Sequence, residues 1–273
     1  FEGAEPIPDM EDLDELATEM GASGSYSFVK GITEVTNAIG GVLGDRIRLE
    51  SGVTWVEGDD EEGYEVTYRD AEGAEITIGA DAVIVATPLP ITLDIAEDIL
   101  SEDQAEILEQ IPYAPYMTAA LFSDEPIFER AFDLSLPDGW YLSDLYDATW
   151  VQRRFDPDAD DYKGYVAGAY IAPTGYTEPG FLDTPDDELI KRVLVDVERV
   201  SPGASQKIKG YDIHRHKYAY PVAVPGTFER LAELHETLED SGFQLAGDGM
   251  VYPTFQTAII AGEVAADRVL DWP

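Results

Sequence analysis

LAGDGMVYPTFQTAIIAGEVAADRVL, residues Leu245 to Leu270, is the stretch on which the fold turns. Phe243 to Ala246 reads as a short strand that runs into Gly247-Asp248-Gly249. A Pro-containing loop follows, and Thr254 to Leu270 then reads as a helix carrying Ala258, Ala261, Gly262, Ala265 and Ala266. The start of such a helix offers unpaired backbone N–H groups and the positive end of its dipole, which suit an anion or an electron-rich ring edge. Small residues let the helix approach a flat ligand or another backbone closely. Asp248, at the strand tip, can accept hydrogen bonds from ribose-type hydroxyls. An ordinary strand–loop–helix with a small-residue packing face would look the same, and spacing alone does not separate the two.

Working outward, Gly226 to Leu238 looks helical, and before it come the closely spaced His214 and His216. Far upstream, Asp81-Ala82-Val83-Ile84-Val85-Ala86 is a nearly all-apolar run ending in Thr87-Pro88, expected to be buried on both faces like a parallel strand. Ahead of it, Val53 to Glu57, Tyr64 to Arg69 and Glu75 to Ile78 alternate between turns and predict a small antiparallel meander. A short strand is expected at Arg46 to Leu49. A helix is expected over Ser27 to Leu43, where Phe28, Ile32, Val35, Ile39, Val42 and Leu43 recur at helical spacing before Gly44. Residues 1–23 form an acidic N-terminal segment with a short helix expected at Asp12 to Met20 and a linker at Gly21 to Ser25. Beyond Pro90 the texture changes. Ser101 to Ile111 and Asp186 to Val200 read as helices, Met117 to Ser123 and Gly164 to Ile171 as strands, with loops rich in Pro, Gly and Asp.

The charge is the outlier of the composition. Against 17 basic residues stand 56 acidic ones, a net charge of −39, on a chain whose hydrophobic fraction of 44% is that of a globular protein. The acids are spread over the whole chain, which points to a solvated surface adapted to high salt, where the Debye length falls to ~3 Å at molar salt. An acidic face for a basic partner explains the dispersion less well. With no basic stripe to neutralise phosphates, nucleic acid is not an expected partner. The absence of cysteine excludes disulfides and thiolate metal sites. No apolar run reaches the ~18 residues of a membrane span and the start has no signal-peptide character, so the expected location is cytoplasmic, with nothing in support of peripheral membrane contact.

The segment at Leu245 to Leu270 resembles the C-terminal flavin motif of the superfamily of phytoene desaturases, protoporphyrinogen oxidases and flavin-containing amine oxidases. That motif has a Gly-Asp or Gly-Glu pair, a loop, and a helix with an Ala and an Ala/Ser-Gly pair. The matching residues here are Gly247-Asp248, Pro253-Thr254-Phe255-Gln256, Ala258 and Ala261-Gly262. The resemblance implies FAD as cofactor, with Asp248 holding its ribityl-diphosphate portion and Thr254 to Gln256 at the isoalloxazine edge. GITEVTNAIGGVLGDRIRLESGVTWVEG, residues Gly31 to Gly58, is similar to the helix and strand that precede the meander in the same family, where Val53 would meet adenine through its backbone. ADAVIVATP, Ala80 to Pro88, follows in family order and brings Ala86, Thr87 and Pro88 towards the FAD diphosphate. Core packing explains Val53 or Ala86 taken alone; the order of the elements carries the resemblance.

The chain departs from that pattern in places. The family opens with a GxGxxG βαβ unit, absent here, and the chain begins with Phe1, so the notional N-terminal part of the same protein is expected to precede it and to complete the FAD site. Thr118 falls where amine oxidases carry a lysine, Thr254 stands at one of their two aromatic positions, and the other, near Tyr218 to Val222, is ambiguous. Amine oxidation is therefore disfavoured against dehydrogenation of a small apolar molecule, isoprenoid or porphyrinogen-like. A non-catalytic binding domain is the alternative of a different class. No catalytic acid or base is assigned. His214 and His216 share a strand face without a third ligand, so no metal is expected, and His235 reads as solvated. Tyr141, Tyr146, Tyr162, Tyr165, Tyr170 and Tyr176 could line a substrate tunnel or simply pack a sheet. Arg153, Arg154 and Arg215 could grip a carboxylate or form local ion pairs. The expected fold is α/β: a partial FAD-binding domain from residues 24–90 and 211–273, with an inserted α+β substrate domain over 91–210.

Overall fold

In the computed structural model, residues 28–129, 131–137, 139–159, 163–175 and 177–272 are described. The helix expected at Asp12 to Met20, the linker after it, Tyr162 and Tyr176 lie outside these residues. One compact unit takes in the described residues up to Ile47 and from Thr149 to Lys163, and the other takes in Arg48–Ala148 and Gly164–Pro273.

In the first unit, helix α1 (Thr33–Leu43) begins later than the Ser27 start that periodicity predicts. Gly31 at φ +96° breaks the run, a conformation that suits glycine. None of the α1 side chains is buried, and Ile32, Ile39 and Val42 are exposed. A single 3₁₀ turn at Gly44–Arg46 and backbone outside any strand after it take the place of the short strand expected at Arg46 to Leu49. Gly44 at φ +53° turns the chain there, and although Ile47 is already extended, a paired strand does not begin before Gly52.

The second unit opens with the meander. Strands β1 (Gly52–Asp59), β2 (Gly63–Arg69) and β3 (Glu75–Ala80) pair antiparallel in that order. At the first hairpin a side chain on Gly58 would run into the Gly63 carbonyl, so only glycine closes this turn. Asp59 Oδ1 accepts the N–H groups of Glu61 and Glu62 at 2.8 Å each, which holds its carboxyl below the ordinary range. Asp60 Oδ1 takes the Tyr64 hydroxyl at 2.6 Å and the Gly242 N–H at 2.8 Å, tying this hairpin to the C-terminal region.

β4 (Val83–Val85) lies parallel to a strand formed much later, Phe243–Leu245. Burial on both faces was expected for this run. Val85 is buried, but Ile84 is 39% exposed, so one face of the pair stands open. Helices α2 (Leu89–Ile95) and α3 (Glu102–Glu109) follow. Ser101 caps α3 in a capping box with Gln104. Leu89, Ile95, Ala96, Leu108 and Ile111 share a core with Val56 and Tyr64 of the meander and with Leu231, Leu234, Phe243, Leu245 and Ala261. The stretch just after residue 90 therefore packs with the flanking α/β elements.

A five-stranded antiparallel sheet occupies the middle of the chain. Its strands are β5 (Tyr113–Ser123), β6 (Asp133–Ser135), β7 (Asp144–Asp147), β8 (Tyr165–Ile171) and β9 (Ile208–Pro221), in the order β6-β7-β8-β5-β9. The short helix α4 (Trp150–Phe155) belongs to the first unit and was not foreseen. Period-two alternation divides β5: Met117, Ala119, Leu121 and Ser123 are buried, while Tyr116, Thr118, Ala120 and Phe122 occupy the other face. Helix α5 (Asp186–Val200), with the bounds read from the sequence, places Leu189, Val193 and Val197 in the core against that buried face. Asp196, also on α5 and buried, accepts the N–H groups of Tyr141 and Leu142 at 2.5 and 3.1 Å and pairs with Arg199 at 3.0 Å. Helix α6 (Thr227–Thr237), strand β10 (Phe243–Leu245) and helix α7 (Phe255–Asp271) complete the chain. The molecule is thus a mixed α/β protein. No helix among the described residues is long and apolar enough to cross a membrane.

Candidate functional site

β4 and β10 run in parallel and end side by side, where Ala246 N donates to Val85 O at 3.0 Å. In open α/β sheets, ligands bind in the crevice beyond such carboxyl ends. After β4 come Ala86, Thr87 and Pro88. Thr87 Oγ1 lies 2.9 Å from Thr92 Oγ1, and Pro88 is the N-cap residue of α2. After β10 comes Gly247 at φ +107°, with open space where a side chain would stand. Asp248 then begins a 3₁₀ turn, Asp248–Met250. A side chain on Gly249 would collide with the Tyr113 hydroxyl and Leu89, and that hydroxyl in turn accepts Leu89 N–H at 3.3 Å. The turn bearing Asp248, the start of α2 and the start of β5 are locked together by these contacts.

Helix α7 starts behind a capping box: Thr254 Oγ1 accepts Thr257 N–H at 3.2 Å, and Thr257 Oγ1 accepts Thr254 N–H at 3.2 Å. Phe255 and Gln256 contribute first-turn N–H groups that the helix cannot pair internally. Between this helix start and the outer face of the five-stranded sheet lies a groove of about 500 Å³. Asp248, Pro253, Thr254, Phe255 and Ala258 line one side, and Tyr116, Thr118, Tyr170, His216, Tyr218, Ala219 and Tyr220 line the other.

The structure therefore brings five of the predicted residues into one groove. Ala86, Thr87, Pro88 and Gly247 sit at the ends of the β4–β10 pair outside its lining, and Gln256 is exposed on the first turn of α7. Val53 lies on β1 opposite Tyr68, 41% exposed and outside the lining, just before a bulge. Of the six tyrosines read as a cluster, Tyr170 lines the groove and Tyr146 lies tilted beside it, with ring centroids 5.0 Å apart. Tyr141 instead packs against the core under the opposite face. Tyr116 was not singled out from sequence, although the alternation of β5 places it on the same face as Thr118. Arg215 donates to Leu182 O, Thr184 O and Asp186, which is local pairing, and Arg154 lies over the Trp150 ring. His214 and His216 stack with centroids 6.4 Å apart, and no cluster able to hold a metal occurs among the described residues.

Burial controls the electrostatics. It raises the Asp248 carboxyl above the ordinary range and pushes the Tyr116 and Tyr170 phenols up to about 12. Among the described lining residues there is neither lysine nor arginine. Tyr64 and Tyr113 are likewise pushed up to about 12 by burial. In the unfolded chain these four phenols ionise from their ordinary value of 10, whereas the folded chain keeps its protons to about 12. Their stabilising contribution is therefore complete below pH 10 and lost as the pH rises through about 12. Spectrophotometric titration should show tyrosinate appearing in step with loss of circular dichroism in that window. A smooth ionisation at the ordinary phenol pKa with the fold intact would contradict this account of the burial.

The sequence profile of the family described as flavin containing amine oxidoreductase matches residues 9–270. Protoporphyrinogen oxidase 1, chloroplastic, from Arabidopsis thaliana is 23% identical over 235 residues, covering 80% of this chain and 41% of the relative. Protoporphyrinogen oxidase, chloroplastic, from Oryza sativa subsp. japonica is 33% identical over 89 residues, 33% of this chain and 16% of the relative. A solved structure of a putrescine oxidase double mutant, redesigned in cofactor binding, superposes with a TM-score of 0.68 at 16% identity, over 89% of this chain and 53% of the other. The chain thus spans about two fifths of the length of the first of these relatives.

Proposed function

The chain belongs to the flavin containing amine oxidoreductase family, and from that premise we propose that it forms part of an FAD-dependent dehydrogenase acting on a small apolar substrate, isoprenoid or porphyrinogen-like. One observation carries the reading. The groove joins the Asp248 turn and the α7 start, which suit a flavin, to a tyrosine-lined sheet face, which suits an apolar molecule.

The residues present fit the cofactor. Asp248 is a partly buried acceptor without a basic partner among the described residues, free to take ribityl hydroxyls. The open space beside Gly247 allows a ligand to approach the backbone closely. The unpaired N–H groups at the start of α7 suit the electron-rich edge of the ring. When bound, the flavin supplies hydride acceptance. The chain's own part is to hold and orient: Asp248 and α7 on the cofactor side, and Tyr116, Tyr170, Tyr218 and Tyr220 on the substrate side. Thr118 has neither the basicity nor the reach of a lysine, which weighs against the amine-oxidase reading and favours a chemistry in which the protein moves no proton at that point.

Titration of FAD at molar salt into the full-length parent protein, of which this chain forms part, tests the reading. Uptake with a shifted visible spectrum and quenched flavin fluorescence is expected. Colourless protein that takes up no FAD would favour a non-catalytic binding domain, and turnover of alkylamines would favour an amine oxidase.

A further inference from the structure

Resting on the reading of the groove as the substrate site, we infer that Tyr146, seated on Gly168, is the ring that determines how long a substrate the groove accepts. The outer face of the five-stranded sheet carries a row of aromatic rings that continues past the groove. Tyr220 and Tyr116 are 5.4 Å apart between centroids, Tyr116 and Tyr170 are 5.7 Å apart, and Tyr170 and Tyr146 are 5.0 Å apart. The first three of these rings line the groove, and Tyr146 is the next one out. The row crosses β9, β5, β8 and β7 in turn, so with adjacent strands about 4.8 Å apart it makes a floor roughly 14 Å long.

Tyr146 lies in that row because of Gly168. The two face each other across β7 and β8, and a Cβ on Gly168 would clash with the hydroxyl-bearing edge of the Tyr146 ring, at its Cε1 and Cζ. Gly168 has no positive φ, so alanine fits its backbone and changes only the space above it. Every larger residue there must lift Tyr146 off the sheet and shorten the floor by one ring. Asp144 stands directly opposite Tyr170, and Asp133 opposite Tyr146, on the same face. Carboxylates beside the rings, with no described lysine or arginine in the lining, repel anions. The occupant that matches this floor is an elongated, neutral, unsaturated molecule. A ring laid over a glycine also stabilises a sheet by itself, but that role carries no dependence on ligand length.

Diphenylhexatriene, a neutral fluorescent rod, and biphenyl, its short counterpart, separate the two roles. Wild-type protein at molar salt should bind both. Tyr146→Leu and Gly168→Ala should weaken diphenylhexatriene about five- to tenfold while moving biphenyl by less than about twofold, as the loss of one aromatic contact predicts. Tyr146→Leu keeps an apolar side chain of moderate size and answers the question if Gly168→Ala does not fold. Equal weakening of both probes, no change in either, or failure of the wild type to bind the rod would overturn the inference. FAD uptake is measured on the same samples without either probe. Length discrimination without FAD uptake would count against the proposed function alone.

Discussion

Replacing Asp248 with alanine should lower the affinity for FAD by about ten- to a hundredfold while leaving the apo protein as stable as before or slightly more so. The carboxyl is partly desolvated, and burial raises its pKa. Among the described residues no cation offsets this cost, so in the apo protein the ionised group opposes folding. A bound polyol would supply donors to it, and a hydrogen bond to a charged group contributes about 1.5–3 kcal/mol, which gives that fold-change. The signature is thus a split between affinity and melting temperature. Asp248→Asn, which keeps one acceptor oxygen, should fall between. Because the acceptor is the carboxylate, FAD affinity in the wild type should also fall as the pH drops through the raised Asp248 value, and this dependence should vanish in the alanine variant. Equal flavin affinity in wild type and Asp248→Ala would remove Asp248 from the cofactor site.

Asp196→Ala should destabilise the second unit by about 2–4 kcal/mol, the largest effect expected from a residue that touches no ligand. Asp196 is 2% exposed and accepts two backbone N–H groups from the loop before β7 while pairing with Arg199. Its removal leaves the N–H groups of Tyr141 and Leu142 without their acceptor, each at a cost of about 1–3 kcal/mol. Arg199 is half exposed and finds water instead. The consequence reaches the groove. The next residue of that loop, Ser143, donates its N–H to Tyr170 O at 2.9 Å, and its hydroxyl lies 2.9 Å from the Tyr116 hydroxyl. Loosening the loop should therefore disturb two groove tyrosines as well as lower the urea midpoint at molar salt. Asp196→Asn keeps an acceptor and should recover most of the loss. A drop below about 1 kcal/mol for the alanine variant would show that water replaces the carboxylate and that the loop is held by other contacts.

Local chemistry made several elements legible from sequence alone. Helix α5 has the bounds that its apolar spacing and its Asp186-Asp187-Glu188 start predict, and α7 begins one residue after the Thr254 that caps it. The meander follows from alternation and from turn residues such as Asp59 and Asp70, whose side chains bind the turn backbone themselves. The resemblance to the family rested on the order of elements along the chain, from the helix and meander through the Thr87-Pro88 strand end to the Gly247-Asp248 corner and its lean helix, because order is legible in a sequence even where no single element is decisive. Helix α2 was missed because Pro90, a breaker inside a helix, is tolerated in a first turn. The openness of Ile84 was missed because a short apolar run does not say whether a neighbour covers both of its faces.

What the sequence determined by itself was the inventory: elements with strong periodicity, their caps and turns, and an aspartate at a strand tip ahead of a small-residue helix. Which of these meet was decided only in three dimensions. The groove joins residues of β5, β8 and β9 to the start of α7, and the seat of Tyr146 is a glycine on another strand. Strand registry between segments far apart in the chain sets which side chains share a face, whereas periodicity reports only on neighbours within a few residues.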